Sequence, residues 1–204
     1  MPKKVKRDPR GNPPKNQPVN GFVPNSRVQV TSIERHWVYT SAELQIVAYR
    51  GGTNDRNESL IGGNQNVIQC VTKGRATFQR EGESLEEISA IGFRDTYPSK
   101  VDGVLSTYEI KQGNTEFLCI KTRLRKNAPY DVLTFNPSER INISGPVSGS
   151  NFIVIAVQGK VDFVDERVSG ILDRLETIQD HIEIEPGDTA EGTAIGRTTL
   201  LVIK

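Results

Sequence analysis

The sequence predicts a mainly β protein, two tandem β-units behind an extended N-terminal arm, and three observations predict it. The first is an internal repeat. Residues 66–78 (NVIQCVTKGRATF) align without a gap on 151–163 (NFIVIAVQGKVDF), sharing asparagine, isoleucine, glycine and phenylalanine, with Arg75 opposite Lys160. Further on, 109–115 (EIKQGNT) matches 183–189 (EIEPGDT), and the apolar run 117–121 matches 200–204. The second observation is residue choice: Val, Ile and Thr recur in short alternating runs broken by Gly and Asn, which suits half-buried strands. The third is a break in composition near residue 26. The domain expectation is therefore an arm over 1–26, a first β-domain over 27–125 and a second over 126–204.

The arm holds six of the eleven prolines of the chain (Pro2, Pro9, Pro13, Pro14, Pro18 and Pro24), so it excludes helix and central strand. It also carries Lys3, Lys4, Lys6, Arg7, Arg10 and Lys15 against Asp8, a net of +5 that leaves the rest of the chain at −4 of the overall +1. A basic arm on a mildly acidic body points to a tether that reaches neighbouring protein subunits through those six cations. Salt-dependent, sequence-independent contact with nucleic acid is the alternative use of the same charge. The arm has no aromatic residue before Phe22, so it lacks a base-stacking platform. Pro2–Arg7 is also similar to a short basic nuclear-import signal, a motif with many chance matches.

After the arm, Val28, Val30 and Ile33 begin an apolar alternation and Glu43–Tyr49 continues it, followed by a polar glycine-rich loop at 50–57. Strands are expected at 66–72 and 75–80, joined by a Lys73-Gly74 hairpin turn, then at about 104–111 and 115–123. A polar linker at 124–130 leads to strands near 131–135, 140–144, 152–157 and 160–165. In 166–179, Val168, Ile171, Leu172, Leu175 and Ile178 fall at three- and four-residue steps, which predicts one short amphipathic helix. Ile171, Leu175 and Ile178 would form its apolar stripe, either against its own domain or at a subunit interface. Strands at 181–184 and 198–203 close the chain.

No run approaches the roughly 20 apolar residues of a membrane span, and the N-terminus lacks the apolar stretch of a signal peptide. The expectation is a soluble protein, virion-borne or cytoplasmic. Two cysteines cannot supply a four-thiolate metal site. The repeat places Cys70 opposite Ile155 and Cys119 opposite Val202, which reads both as small core hydrophobes. A Cys70–Cys119 disulfide is the alternative if their strands are neighbours.

The strand that runs into a glycine turn (71–78 and 156–163), with the x-G-[ND]-T turn before a closing apolar strand (111–115 and 185–189), resembles the cupin superfamily. Two tandem copies over about 27–204 resemble a bicupin, which implies two jelly-roll β-barrels. The resemblance also implies a divalent metal held by two histidines and a glutamate on one strand and a later histidine. This chain has only His36 and His181, and where the metal strand is expected it reads 59–64 (SLIGGN) and 141–145 (INISG). The expectation is therefore no cofactor, no metal and no catalytic residue.

Other motifs are weaker. Glu86-Glu87 and Asp165-Glu166 read as solvated surface carboxylates, and no P-loop or dinucleotide fingerprint occurs. Trp37 and Tyr39 read as one face of a strand, or else as an aromatic platform for a sugar or a partner. The leading functional expectation is a non-catalytic structural or assembly protein, a virion component such as a capsid-decorating or tail-associated protein, forming a homo-oligomer or part of a larger assembly. The alternatives are a metal-independent sugar epimerase or isomerase using His36, Tyr39, Tyr97, Tyr108 or Glu109, and a carbohydrate-binding module. An open barrel mouth lined by polar groups favours these; a barrel filled with side chains favours the structural protein.

Overall fold

The computed structural model describes residues 33–61, 65–80, 82–96, 104–123, 130–164, 172–175 and 180–204. The chain divides between Ala128 and Pro129 into two compact units. The arm with its six cations, and Tyr97, lie outside the described residues, as do the ends of the expected helix.

The first unit contains β1 (Glu34–Thr40), β2 (Leu44–Gly51), β3 (Arg56–Ile61), β4 (Gln65–Lys73), β5 (Arg75–Arg80), β6 (Glu86–Ser89), β7 (Gly92–Thr96), β8 (Val104–Ile110) and β9 (Thr115–Arg123). They form two antiparallel sheets, β1-β2-β9-β4-β7 and β3-β8-β5-β6. Period-two alternation aims Val47, Tyr49, Val67, Val71, Phe117 and Cys119 from the first sheet into one core with Ala76, Phe78, Ile88, Tyr108 and Ile110 from the second. Four rings make its centre. Phe117 stacks on Tyr49 at 4.8 Å and meets Phe78 edge-on at 5.4 Å, with Tyr108 5.8 Å away.

The second unit contains β10 (Tyr130–Phe135), β11 (Arg140–Ser144), β12 (Phe152–Val164), β13 (Leu172–Leu175), β14 (Ile182–Ile184) and β15 (Thr189–Ile203). All six belong to one antiparallel sheet in which β15 pairs β10, β11 and β12, and β12 also pairs β13 and β14. Its core is aliphatic apart from Phe163 at the centre and Phe135 and Phe152 packed beside it. Ile141 and Ile143 of β11 close on Val154, Ala156, Ile182, Leu200 and Val202.

The repeat is real in three dimensions and carries a device that the sequence match only hinted at. In the first unit β4 pairs β9 with Val71 opposite Phe117 and Lys73 opposite Glu116, a bulge between them. In the second, β12 pairs β15 with Ala156 opposite Leu200 and Gln158 opposite Thr199, again with a bulge between. Directly after each bulge stands a glycine with left-handed backbone, Gly74 at φ 78° and Gly159 at φ 75°. A threonine packs against each glycine: Thr115 Oγ1 accepts the Arg75 N–H at 3.1 Å, and Thr198 Oγ1 donates to the Lys160 carbonyl at 3.0 Å.

Three local expectations are corrected. The 109–115 and 183–189 segments are not equivalent. Glu109 lies on β8 opposite Thr77, a place that Thr193 takes opposite Asp162, whereas Glu183 pairs Ile153 as Asp95 pairs Ile68. The turn at Lys73-Gly74 is not a hairpin, because β4 and β5 belong to different sheets. In the second unit the same glycine sits inside one long bent strand. Finally, residues 172–175 are a strand rather than part of a helix: β13 pairs β12 from Val161↔Leu175 to Val164↔Leu172. The extension of β12 to Val164 leaves a ladder edge whose backbone groups need partners, and an adjoining segment satisfies them by pairing. Leu175 of the expected stripe stands in β13, while Ile171 and Ile178 lie outside the described residues.

Candidate functional site

The two barrels differ most on their inner surfaces. In the second, strand β11 stands where the resemblance places the metal strand, and its inward side chains Ile141 and Ile143 are core residues. In the first, the rings fill the end near Gly74, and polar side chains take over toward the other end. Their positions follow from alternation. Gln69 lies between core residues Val67 and Val71 on β4, Arg94 faces it across the β4–β7 ladder, and Lys121 follows Cys119 on β9. On the opposite sheet Arg80 follows Phe78 on β5 and stands opposite Ser106 on β8.

All five are deeply enclosed: Gln69 is 0% exposed, Ser106 1%, Arg80 and Lys121 6% and Arg94 7%. A carboxylate clamp links the sheets. The Arg94 guanidinium donates through Nε to Glu86 at 2.7 Å, through Nη2 to Glu83 at 2.8 Å and through Nη1 to the Gln69 carbonyl oxygen at 3.4 Å. Glu83 also lies 3.6 Å from Arg80 Nη1. The rigid donor fork of arginine suits such bridging. The sequence reading missed this cluster because β6 and β7 are short and carry charge, so no apolar periodicity announced them; Glu86 is the surface carboxylate expected, and it reaches the buried Arg94 from the exposed side. An isolated glutamine or serine inside an apolar alternation, as in Val67-Ile68-Gln69-Cys70-Val71, was the available signal.

This donor set does not fit a divalent metal. Two guanidiniums and an ammonium would repel the cation, and among the described residues no three His, Cys, Asp or Glu side chains gather as a metal-holding group. His181 is buried in the second unit with Nε2 3.9 Å from Glu183 Oε1, and His36 lies on β1 opposite Ala48.

The remaining candidates are dispersed. A bulge in β1 sets Trp37 opposite Val47 and Tyr39 opposite Ile46, so the two rings take opposite faces and form no common platform. Trp37 instead packs on the core. Tyr108 is a core ring. Glu109 lies on the other face of β8, paired to Lys111 Nζ at 2.6 Å. Cys70 and Cys119 sit on neighbouring strands but face opposite sides of the sheet, since Cys119 is opposite Gln69 and Cys70 opposite Leu118. A disulfide between them would need one strand to turn over. Burial pushes the Cys70 thiol up to about 12. Burial raises Cys119 too, partly offset by the Lys121 charge and a hydrogen bond from Tyr108. Both thiols are therefore expected to resist a thiol reagent in the native protein near neutral pH and to react fully after denaturation, counted by reagent absorbance.

Comparison with solved structures decides the fold. A cupin 2 conserved barrel domain protein from Leptotrichia buccalis superposes at TM-score 0.57 and 10% identity, covering 86% of this chain and 91% of its own. Protein Ylba from Escherichia coli gives 0.66 and 13%, covering 90% and 87%. The oxalate decarboxylase of Lactobacillus farciminis gives 0.59 and 11%, covering 90% and 84%. The chain has a cupin-superfamily fold. At such identities the cupin likeness describes architecture and not activity. No protein-family model and no curated protein matches the sequence. Among the described residues no helix is long and apolar enough to cross a membrane.

Proposed function

We propose that this cupin-fold chain is a structural or assembly protein that works by joining subunits. The observation that carries the reading is the filled second barrel: the strand that would bear metal ligands contributes Ile141 and Ile143 to a closed apolar core. The first barrel is packed by four rings at one end and bridged by the Arg94 clamp at the other. Side chains thus take the space in which a cupin enzyme would hold its reacting groups.

Charge supports a role in joining. The +5 arm and the −4 remainder of the chain are complementary between copies, so the arm of one subunit can lie on the body of the next. Lys3, Lys4, Lys6, Arg7, Arg10 and Lys15 are the arm's contact residues in this reading. Repeating shells and tails use bodies and arms in this way, and a virion component is the version we favour.

The test is light scattering of the full chain and of a form lacking residues 1–26, at low and high salt. The full chain is expected to form an oligomer that the truncated form does not, and salt is expected to weaken it. If both forms share one small mass at both salts, the assembly reading fails.

A further inference from the structure

We infer that two copies of this chain join through the open edge of β10, their β10 strands pairing antiparallel about a two-fold axis at Val132. The contact is made by the second unit alone and does not need the arm, so this inference and the arm reading can fail separately.

The repeat supplies the first reason. β10 lies on β15 as β2 lies on β9: Asp131, Val132 and Leu133 stand opposite Val202, Leu201 and Leu200, and Val47, Ala48 and Tyr49 opposite Cys119, Leu118 and Phe117. In the first unit β1 pairs the other side of β2, and Gln45 through Tyr49 are buried. In the second, no strand among the described residues pairs the other side of β10, and none of its residues is buried. Val132 is 40% exposed where its counterpart Ala48 is 3% exposed. The first unit thus shows what completes this edge: one more antiparallel strand.

The second reason is that the edge is undefended. An edge strand invites pairing with another chain, and folds commonly block it with charge, proline or a bulge. β1, the matching end of the first unit's sheet, carries Glu34, Arg35 and a bulge between Trp37 and Tyr39. β10 (YDVLTF) has no proline and keeps an unbroken register with β15 from Tyr130 to Phe135. Its one charge, Asp131, is paired to Lys204 at 2.6 Å.

The third reason selects a second copy as the occupant. With the axis at Val132, that side chain meets its own twin, Tyr130 meets Thr134 of the other copy, and Asp131 meets Leu133. Aromatic and β-branched pairs of this kind favour a ladder, and no like charges stand directly opposite. The two Asp131 side chains become diagonal neighbours about 7–8 Å apart, each already beside a lysine. The arm is the poorer occupant. An added strand is held by backbone donors, and six prolines in residues 1–26 supply none. So short a ladder is a small contact, and the dimer is expected to dissociate on dilution.

The test is sedimentation equilibrium of the full chain over a concentration series in high salt, which screens the arm's charges. The mass is expected to rise with concentration toward that of two chains. Val132→Lys sets like charges opposite one another and is expected to weaken the dimer about tenfold. Its strand signal in circular dichroism should stay, because the position is already half-exposed. Val132→Cys tests the register itself: residues directly opposite across an antiparallel pair lie about 4.5–5.5 Å apart between Cα atoms, within disulfide reach. With oxidised glutathione as oxidant it is expected to give a reducible two-chain species. Wild type should give none, since Cys70 and Cys119 are buried. Val147→Cys, at a position 99% exposed, is the control for random collision and should stay single-chain. Removing residues 1–26 is expected to leave the dimer in place. A single-chain mass at every concentration, a dimer indifferent to Val132→Lys, crosslinking no greater at position 132 than at 147, or loss of the dimer with the arm each overturns the inference.

Discussion

Gly159→Ala is expected to destabilise the second unit by about 2–5 kcal/mol, and Gly74→Ala to do the same to the first. Two penalties combine at each position. The left-handed backbone (φ 75° and 78°) disfavours any side chain by about 1–2 kcal/mol. The added methyl would also press on atoms that cannot swing away. At Gly159 it meets the Thr198 Cα at 2.8 Å and the Arg197 carbonyl; at Gly74 it meets the Thr115 Cα at 3.0 Å. Relieving that overlap would separate strands that the bulge holds together, at a further cost of about 1–3 kcal/mol. Gly187→Ala is the internal control: its φ is 79°, but nothing lies within 4 Å of the new methyl. It should show only the conformational penalty. Denaturant titration of the three variants, compared through midpoints at constant slope, checks the ordering. Equal losses at Gly159 and Gly187 would show that the threonine corner contributes nothing.

The same corner shows how much of the fold was legible. The match of 66–78 to 151–163 aligns residues that the structure places in equivalent ladders, down to the bulge and the glycine. It was readable because strand period, turn glycine and a buried aromatic are all fixed by local chemistry. The match of 109–115 to 183–189 failed for an equally physical reason. An Ile followed by a Gly-Asn/Asp-Thr turn is the chemistry of any strand end, and it recurs without homologous placement. The true counterpart of Thr115 is Thr198, and Gly196-Arg197-Thr198 shares the glycine and threonine of Gly113-Asn114-Thr115, so extending the match of 117–121 to 200–204 backwards was the available signal.

The helix expected over 166–179 fell to a weak period. Its apolar residues match three- and four-residue steps, but in a stretch this short the count also admits a strand, and 172–175 pair with β12 instead. The candidate site was the least legible part. Arg80, Arg94 and Gln69 come from three strands and two sheets, so their meeting is a product of topology. Lys121 was visible only as the polar end of an apolar strand. Nothing local distinguishes it from a solvated lysine until the ladder aims it inward after Cys119.

Phe117→Ala is expected to be the most damaging single change in the first unit, at about 3–5 kcal/mol. Phe117 touches every other ring of the cluster: Tyr49 in a stack tilted by only 8°, Phe78 edge-on at 87° and Tyr108 at an intermediate 51°. Deleting it leaves a cavity between two sheets, and surrounding strands can collapse into it only by breaking ladders with β2 and β4. The three ring contacts vanish as well, each contributing about 0.5–1.5 kcal/mol beyond burial. The repeat supplies the matched comparison, because Leu200 holds the equivalent place in the second unit without any stacked ring. Phe117→Leu copies that solution into the first unit and should recover much of the volume but none of the stacking. The expected order of thermal midpoints is therefore wild type, then Phe117→Leu, then Phe117→Ala, measured by calorimetry. Near equality of Phe117→Leu with wild type would assign the stability of this core to volume alone. The aromatic cluster would then matter only as a filler, as the aliphatic core of the second barrel already shows to be sufficient. A wide gap would instead show that the first barrel depends on ring geometry. That geometry fixes the spacing of the two sheets, and with it the distance across which Glu83 bridges Arg80 and Arg94.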